Sequence, residues 1–317
     1  MSQLGSITAE KEKQMDLERQ RFQEVKAKML AQQKYKRAAR TAGHIVLNIV
    51  VALIVLLPLL YAVSIAFMPS GELFTLDMNI LPKHPTLENF RQALQKVPLV
   101  RFVVNSFLVA GLITFGQIIS CSLAAFSFSF LDFKGKNVLF MLVMATMMIP
   151  GEATIISNYL TVSGWNWLDS YQVLIVPYLT SAMGIFLFRQ FYLTFPISLY
   201  ESAKIDGAGP VTTFFKITLP YMLFVTAPYL ITQFIGNINN FNVIFLLTEG
   251  KPAAMDYFNG TAGKTDLLVT WLYKLTINFN DYNYGSVIGI LTFIICAVLA
   301  LTTYRRTGSY KNEEGFQ

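Results

Sequence analysis

The stretch YESAKIDGAGPVTTFFKITLP, residues 200–220, is a polar island between two long apolar runs. Pro196, just before it, is a helix-start signal, whereas Gly207, Gly209 and Pro210 inside it are helix-stop and turn signals. The pattern predicts a short helix, a glycine-rich break and the start of a second helix. Because such a break exposes backbone and turns the chain, the stretch is the first candidate for a functional surface.

The composition around this stretch is that of a membrane protein. Of the 317 residues, 54% are hydrophobic and only 14% are charged, and the mean hydropathy is +0.47. A helix needs about 20 apolar residues to cross the hydrocarbon core of a bilayer. We therefore expect an all-α, polytopic membrane protein with six transmembrane helices. The predicted spans are residues 45–68, 103–130, 138–161, 172–190, 220–247 and 284–304.

The distribution of basic residues predicts the orientation of the chain. If the N-terminus lies in the cytoplasm, 18 of the 25 Lys and Arg residues fall in cytoplasmic segments and 7 in external segments. Cytoplasmic segments of membrane proteins carry the excess of Lys and Arg. The sequence thus predicts that both termini and residues 200–220 are cytoplasmic.

Both ends of the chain are polar. Residues 1–43 form a basic cytoplasmic extension, in which the segment from Lys26 to Arg40 holds six basic residues and no acidic one. This composition predicts a helix that is either solvated or attracted to anionic lipid at the membrane surface, and a specific partner site is the alternative. Residues 44–306 form the transmembrane domain, and residues 307–317 form a cytoplasmic tail.

The polar stretch resembles the EAA loop of permease subunits in binding-protein-dependent ABC importers, written E-A-A-x-x-D-G-A-x8-I-x-L-P. The residues that carry the match are Glu201, Ser202, Ala203, Asp206, Gly207, Ala208, Ile217, Leu219 and Pro220. Only Ser202 departs from the pattern, where the family has alanine. The resemblance implies the type I importer permease fold, with residues 197–220 as a coupling loop that docks on a separate ATP-hydrolysing subunit. All matched residues except Ile217 are candidate coupling residues; an ordinary interfacial loop is the alternative.

Three further segments resemble the inner-membrane subunits for maltose, maltodextrin and related oligosaccharides. They are Pro150-Gly151-Glu152, FRQFYLTFP at 188–196, and Asn239-Asn240-Phe241. Ile238 stands where tryptophan is usual in the family. The resemblance implies the cell membrane of a bacterium and an importer of such a sugar, with another sugar or glycerol phosphate as the alternative substrate.

The same resemblance implies the partners of the chain. They are a second, homologous permease subunit, two copies of an ABC ATPase, an extracytoplasmic sugar-binding protein and membrane lipid, with no nucleic acid. ATP and Mg²⁺ are expected in the ATPase, and no cofactor is expected on this chain.

Polar residues inside the predicted spans are candidates for the substrate path. Gln233, Asn237 and Asn240 are spaced four and three apart and are expected to share one helical face. Their amides can bond sugar hydroxyls, or they can join neighbouring helices. Glu152 is the ionisable residue of the third span, where it is either part of the path or a structural group near the outer end of the helix.

Two external segments carry further helical patterns. Residues 87–95 are expected to form an amphipathic helix, and residues 267–275 are expected to be helical within a long external loop at 249–281. The size of this loop makes it a candidate surface for the extracytoplasmic binding protein.

The sequence does not support an enzyme. It contains no phosphate-binding Gly-Lys-Ser/Thr loop, its only histidines are His44 and His84, and Cys121 and Cys296 both fall within predicted spans. The alternative from another class is a self-contained secondary carrier or channel. Such a carrier is expected to show several ionisable residues in its spans, and here only Glu152 qualifies.

Overall fold

The computed structural model describes residues 2–73, 79–241, 245, 247–257 and 260–305, and the predicted tail at 307–317 lies outside them. The regular structure of the described residues is almost entirely helical, as predicted. The helices are α1 (Ser2–Ala66), α2 (Glu88–Lys96), α3 (Leu99–Phe130), α4 (Lys136–Thr146), α5 (Ile155–Gly164), α6 (Tyr171–Ile175), α7 (Ala182–Leu193), α8 (Ile197–Ile205), α9 (Pro210–Thr213), α10 (Leu219–Ile238), α11 (Leu268–Tyr273) and α12 (Tyr282–Tyr304). The chain divides into two units, Met1–Ala62 and Val63–Gln317.

The first unit consists of most of α1. This helix has 65 residues and runs without a break from the basic extension into the first predicted span. The apolar part of α1 lies within Gln32–Ala66. About 20 of these residues are enough to cross the hydrocarbon core of a membrane. Gly43 between the two regions does not end the helix, because a glycine inside a helix costs only about 1 kcal/mol. The extension is therefore a continuation of the membrane helix and not a separate element.

The second unit is organised around α3. This helix has 32 residues, or about 48 Å at ~1.5 Å per residue, and it packs mainly on α7 and α10. Small residues permit the close approach, since a Cβ at Gly184 of α7 would lie 2.9 Å from Cys121 Sγ of α3. α3 therefore lies at the centre of the described helices of this unit.

The third and fourth predicted spans are broken helices. Three successive backbone hydrogen bonds of the i→i−3 type follow α4, and a short 3-10 helix at Gly151–Thr154 precedes α5. Pro150 lies between them, and a proline has no N–H to continue the helical ladder. In the fourth span, α6 continues as a 3-10 turn at Val176–Tyr178, and the following α7 is bent from this segment by 43°.

These breaks affect how many continuous helices can cross a membrane. In the part of the chain that the structure describes, four helical stretches are long and apolar enough, and the bent pair of the fourth span makes a fifth. The four are Gln32–Ala66, Leu99–Phe130, Pro210–Ile238 and Tyr282–Tyr304. The predicted span at 138–161 adds a sixth crossing only if α4 and α5 cross together, because each alone is too short.

The fifth predicted span ends early. α10 stops at Ile238, well before the predicted end of the span. The side chain of Asn239 explains this end, since its Nδ2 donates to a backbone carbonyl four residues earlier at 3.1 Å. Asparagine competes with the helical ladder through such local hydrogen bonds. Asn240 therefore lies beyond the helix, and the prediction that it shares a helical face with Gln233 and Asn237 is wrong.

We call residues 249–281 the cap. Its helix α11 packs in one core with α2 and the start of α12, and this core includes the buried ring of Trp271. The helices predicted within residues 87–95 and 267–275 are present as α2 and α11, and a π-helix at Lys274–Asn278 extends the latter. Trp271 contacts Phe102 of α3 with ring centroids 5.9 Å apart, so the cap rests on the first turn of α3.

Three buried asparagines hold backbone carbonyls in this region. Asn89 and Asn283 each donate through Nδ2 to two carbonyls between residues 65 and 68, at distances of 2.7 to 3.1 Å. Asn105 of α3 donates in the same way to the carbonyls of Lys264 and Asp266, at 3.0 and 2.9 Å. Each amide thus adds a donor for backbone carbonyls at the end of a helix or in a loop, where the regular helical ladder is incomplete.

A buried ion pair stabilises the interior of the cap. Lys274 Nζ lies 2.8 Å from Asp266 Oδ2, and the two side chains are 8% and 0% exposed. The backbone N–H of Gly263 and the hydroxyl of Thr270 also donate to this carboxylate, at 2.7 and 2.9 Å. Burial raises the pKa of Asp266, and the Lys274 ammonium opposes that rise. The four groups fix the cap loop on α11.

We predict that Asn105→Ala destabilises the protein by about 1–3 kcal/mol, because the buried carbonyl of Asp266 loses its side-chain donor. The tyrosine hydroxyl that donates to Asn105 Oδ1 at 2.8 Å loses its acceptor as well. Thermal unfolding in detergent measures the change. The matched control is Gln95→Ala in α2, whose amide side chain is exposed and whose loss is expected to change stability by less than about 0.5 kcal/mol. Equal unfolding temperatures for the two variants would contradict the role of Asn105.

Candidate functional site

The predicted short helix of the polar stretch is α8, and its end is built as the sequence indicates. Gly207 has a φ of +81°, its N–H donates to the Lys204 carbonyl at 3.1 Å, and the N–H of Ala208 donates to the Ala203 carbonyl at 2.9 Å. This pair of bonds is a Schellman motif, which ends a helix at a left-handed residue that is usually glycine. The predicted break is confirmed, and α9 begins after it at Pro210.

The candidate coupling residues fall into an exposed group and a buried group. The exposed ones are Glu201, Ser202, Asp206, Gly207 and Pro220, and those buried or half-buried are Ala203, Ala208 and Leu219. The first group presents two carboxylates and a hydroxyl to the surroundings. The second group has small or apolar side chains that hold the loop against the membrane helices.

Exposed apolar side chains accompany these carboxylates, and sequence reasoning missed them. Ile205 is 85% exposed and Val211 is 71% exposed, although both are large and apolar. Ile205 follows Glu201 by four residues and therefore lies on the same face of α8, which is the signal that was available in the sequence. We call Glu201, Ser202, Ile205, Asp206 and Val211 the coupling surface. A surface that combines apolar side chains with charges is typical of a protein docking site.

Aromatic rings attach α8 to the membrane helices. Tyr200 stacks on Phe130, near the end of α3, with ring centroids 4.8 Å apart and an interplanar angle of 20°. Phe126, one turn earlier in α3, contacts both Tyr200 and Phe214, at 6.1 and 5.3 Å. Tyr192 of α7 contacts the same α3 rings. We call these five residues the aromatic cluster; through it, α8 contacts α3, α7 and the start of the α10 segment.

A π-helix connects the polar stretch to α10. It spans Phe214–Thr218, between α9 and α10. The wider turn leaves a backbone carbonyl at Thr213 that accepts from Thr218 Oγ1 at 3.2 Å. Such single π turns occur mostly inside α-helices and often at functional sites. The segment from Pro210 to Ile238 is thus one long helical path that begins beside α8.

The amides predicted for the substrate path lie between α10 and α3. Asn237 Nδ2 donates to Thr114 Oγ1 at 2.9 Å and to Gln117 Oε1 at 3.4 Å. Gln233 Nε2 donates to Asn237 Oδ1 at 3.4 Å and accepts at Oε1 from the hydroxyl of Tyr229 at 3.3 Å. We call these five residues the polar track. Its hydrogen bonds join two membrane helices, which is the structural alternative that the sequence left open.

Sequence reasoning missed the α3 members of the polar track, Thr114 and Gln117. They are three residues apart and share a helical face, so the spacing was visible. Gln117 also donates through Nε2 to the carbonyl of Tyr178 at 2.9 Å, at the break of the fourth span. Ser120 donates to the next carbonyl, that of Leu179. Hydrogen bonds therefore connect the track to the break of the fourth span.

The other predicted path residues lie outside α3 and α10. Asn240 lies two residues beyond the end of α10, where its N–H donates to the Asn237 carbonyl at 3.4 Å. Glu152 belongs to the 3-10 turn at Gly151–Thr154, between α4 and α5. Among the described residues, no group of three or more His, Cys, Asp or Glu side chains is arranged to hold a metal ion.

Curated relatives match more than half of the chain. The sn-glycerol-3-phosphate transport system permease protein UgpE of Brucella suis biovar 1 is 35% identical over 185 residues, which are 56% of this chain and 65% of that protein. The protein of the same name from Yersinia enterocolitica serotype O:8 is 32% identical over 212 residues, which are 65% of this chain and 75% of that protein. The match thus leaves about a quarter to a third of each relative uncovered.

Solved structures share the fold at low sequence identity. The first is a crystal structure of a bacterial ABC transporter involved in the import of the acidic polysaccharide alginate, with a TM-score of 0.70 and 18% identity over 85% of this chain and 98% of that one. The second is the alginate transporter in complex with an alginate pentasaccharide-bound periplasmic protein, with a TM-score of 0.59 and 18% identity over 86% and 95% of the two chains. The predicted type I importer permease fold is confirmed by this likeness.

The family comparison covers the whole predicted transmembrane domain. Residues 45–306 match the family described as the binding-protein-dependent transport system inner membrane component. This range contains the coupling surface, the aromatic cluster and the polar track. The chain is therefore a multi-pass component of a transport system and not an enzyme, and it belongs to the family of inner-membrane permease components of binding-protein-dependent ABC importers.

Proposed function

We propose that this permease passes a neutral oligosaccharide, of the maltose or maltodextrin type or a close relative. The observation that supports this substrate class is the chemistry of the polar track. Its five side chains are amides and hydroxyls, α10 has no charged residue, and α3 has none after Arg101. Amides and hydroxyls both donate and accept hydrogen bonds, as sugar hydroxyls do, and they leave no net charge to be matched.

In this proposal the polar track opens when the importer changes state. The hydrogen bonds between Asn237 and its α3 partners close the path at rest, and sugar hydroxyls replace them during passage. The exchange conserves the number of hydrogen bonds, so no buried polar group is left without a partner. The same amides would thus join α3 and α10 in the closed state and bind sugar hydroxyls during passage.

The coupling surface is proposed to dock on the ABC ATPase in the cytoplasm. The excess of basic residues in the segments on the same side supports this orientation, with both termini inside and the cap outside. ATP and Mg²⁺ are bound and used by the ATPase. The importer would contain two copies of that ATPase, a second homologous permease and an extracytoplasmic sugar-binding protein that meets the outer side.

Movement of α8 is proposed to reach the membrane helices through the aromatic cluster. Tyr200 stacks on Phe130, so a displacement of α8 pulls on the end of α3. α3 carries Thr114 and Gln117 of the polar track about four turns before Phe130. The energy of ATP hydrolysis would thus be converted into separation of α3 from α10.

A second candidate substrate is sn-glycerol 3-phosphate. The names of the Brucella and Yersinia relatives favour it. Its phosphate group carries negative charge and is bound in proteins mainly by Arg, Lys or helix N-termini. The polar track of this chain offers no such cation, so this substrate requires that the second permease supplies the charge. The sequence left a self-contained secondary carrier or channel as an alternative. Because the chain belongs to a family of ABC importer permeases, that alternative is dropped.

We predict that Ile205→Asp releases the ATPase. A charged side chain at the centre of a docking site costs about 2 kcal/mol or more, roughly 30-fold in affinity. The measurement is the amount of ATPase that co-purifies with the permease from membranes. Ile80→Asp is the matched control, because Ile80 is also exposed, at 64%, but lies outside the coupling surface. Equal recovery of the ATPase with both variants would refute the docking role of α8.

We predict that Tyr200→Ala uncouples transport while leaving the ATPase bound. The variant loses ring contacts worth about 0.5–1.5 kcal/mol for each aromatic pair beyond burial, so α8 no longer holds α3. Uptake is expected to fall strongly at unchanged ATPase recovery, and Tyr200→Phe, which keeps the ring, is expected to transport normally. Uptake by the alanine variant at the wild-type rate would show that the stack does not transmit the motion.

We predict ATP-dependent uptake of labelled maltotriose in cells that express the complete importer and lack others. An excess of unlabelled maltodextrin is expected to compete, and sn-glycerol 3-phosphate is not, because the polar track has no cation for its phosphate. The measurement is initial uptake with each labelled solute in turn. Uptake of labelled sn-glycerol 3-phosphate without uptake of maltotriose would replace the first candidate by the second.

A further inference from the structure

The cap contains a cavity of about 440 Å³ that is separate from the polar track. It lies between the loop at 249–263 and the segment formed by α11 and its π-helix, and all of its lining residues belong to the second unit. Its volume is within the ~300–1,000 Å³ that is usual for small-molecule sites. The residues that matter for the argument are Phe245, Glu249, Lys251, Tyr273, Asn278 and Phe279.

One wall of the cavity is aromatic. Tyr273 packs against Phe241 and Phe245 with ring centroids 4.4 and 4.8 Å apart, and the last two rings stack on each other at 5.1 Å. Phe279 is 39% exposed at the same cavity. Because each ring is fixed by its neighbours, the wall loses little side-chain entropy when a flat apolar surface binds to it.

The polar side of the cavity has no uncompensated charge. Lys251 Nζ lies 3.0 Å from Glu249 Oε2 at the rim, and Lys274 Nζ lies 2.8 Å from the buried Asp266 Oδ2. Each lysine is thus matched by one carboxylate. The exposed amide of Asn278 adds a further donor and acceptor. This arrangement disfavours an anion, which would compete with a carboxylate for each ammonium, and favours a neutral ligand with many hydroxyl groups.

The loop that forms the opposite wall is held in place by tight backbone packing. A Cβ at Gly263 would lie 1.8 Å from the carbonyl oxygen of Gly250, and one at Gly250, where φ is +75°, would lie 2.0 Å from Asp266 Oδ1. Only glycine fits at either position. The cavity is therefore formed by the fold itself and does not need a ligand to shape it.

We propose that this cavity binds a saccharide, with the apolar face of one sugar ring on Tyr273 and its hydroxyl groups on the Glu249–Lys251 pair and Asn278. The inference rests on the proposed function for the class of ligand and goes beyond it in placing a sugar site in the cap, outside the membrane helices. In the proposed orientation the cap is external. The site would receive the sugar before it enters the polar track.

The test uses the full chain, with the subunits that co-purify with it, in lipid nanodiscs. A maltotriose analogue with a photoreactive group is bound, irradiated and mapped by mass spectrometry of the labelled peptides. The proposal predicts labelling within residues 245–279 that unlabelled maltotriose suppresses and sn-glycerol 3-phosphate does not. Labelling confined to peptides of α3 and α10, or suppression by the phosphate alone, would overturn it.

Variants of the aromatic wall provide an independent measurement. Tyr273→Leu keeps an apolar side chain against Phe241 but removes the flat ring, and it is expected to weaken maltotriose binding about three- to tenfold. Tyr273→Phe keeps the ring and is expected to bind like the wild type. Tyr282→Leu, which removes an exposed tyrosine that does not line the cavity, is the control. Thermal unfolding of each variant reports whether the cap is intact, and equal binding by both Tyr273 variants would refute the stacking role.

The uptake measurement separates failure of this inference from failure of the proposed function. Maltotriose uptake without labelling of the cap leaves the substrate class intact and refutes the cap site. Uptake of sn-glycerol 3-phosphate instead of maltotriose refutes both, because the cavity would then be a sugar site in a chain that meets no sugar. Labelling of the cap together with maltotriose uptake supports both.

Discussion

Backbone carbonyl groups that have lost their helical partner are the constraint on which this structure depends. A membrane interior offers them no water, and each unsatisfied group there costs several kcal/mol. α3 supplies donors to carbonyls in two irregular segments, one in the cap and one at the break of a predicted span. Asn105 donates to the cap carbonyls, and Gln117 and Ser120 donate to carbonyls at the break of the fourth span. The irregular segments are therefore possible because one long regular helix lies beside them.

The position of α3 also explains how the functional surfaces relate to each other. Its first turns hold the cap, its middle carries Thr114 and Gln117, and its last turns hold Tyr200 through Phe130. These three places are spread over about 48 Å of one element. A helix is stiff along its axis, so a force applied at one end is delivered to the others without a chain of flexible contacts. Coupling at a distance then needs only that both ends are firmly attached.

Local signals in the sequence were sufficient for the elements that local chemistry determines. Gly207 and Pro210 mark the end of α8 and the start of α9, because a left-handed residue and a missing N–H act within a few residues.

The early end of α10 was missed because the amide of Asn239 can either continue a helix or cap it, and periodicity does not distinguish the two. The Phe130–Tyr200 stack could not be predicted from the sequence, because it joins residues 70 positions apart and depends on the packing of α8 on α3. The coupling surface was visible as a motif, but which of its side chains face outward depends on that packing.

The π-helix at Phe214–Thr218 has a consequence for how this chain tolerates change. A π turn holds one residue more than the α-helical turn it replaces, and each residue of an α-helix turns the chain by about 100°. The direction in which Gln233 and Asn237 face is therefore set by a residue count some twenty positions earlier. Substitutions within this segment preserve that count, whereas loss of a single residue would rotate the whole of α10 by about 100° and turn its amides away from α3. The direction of the α10 side chains thus depends on the number of residues in Phe214–Thr218 more than on their identity.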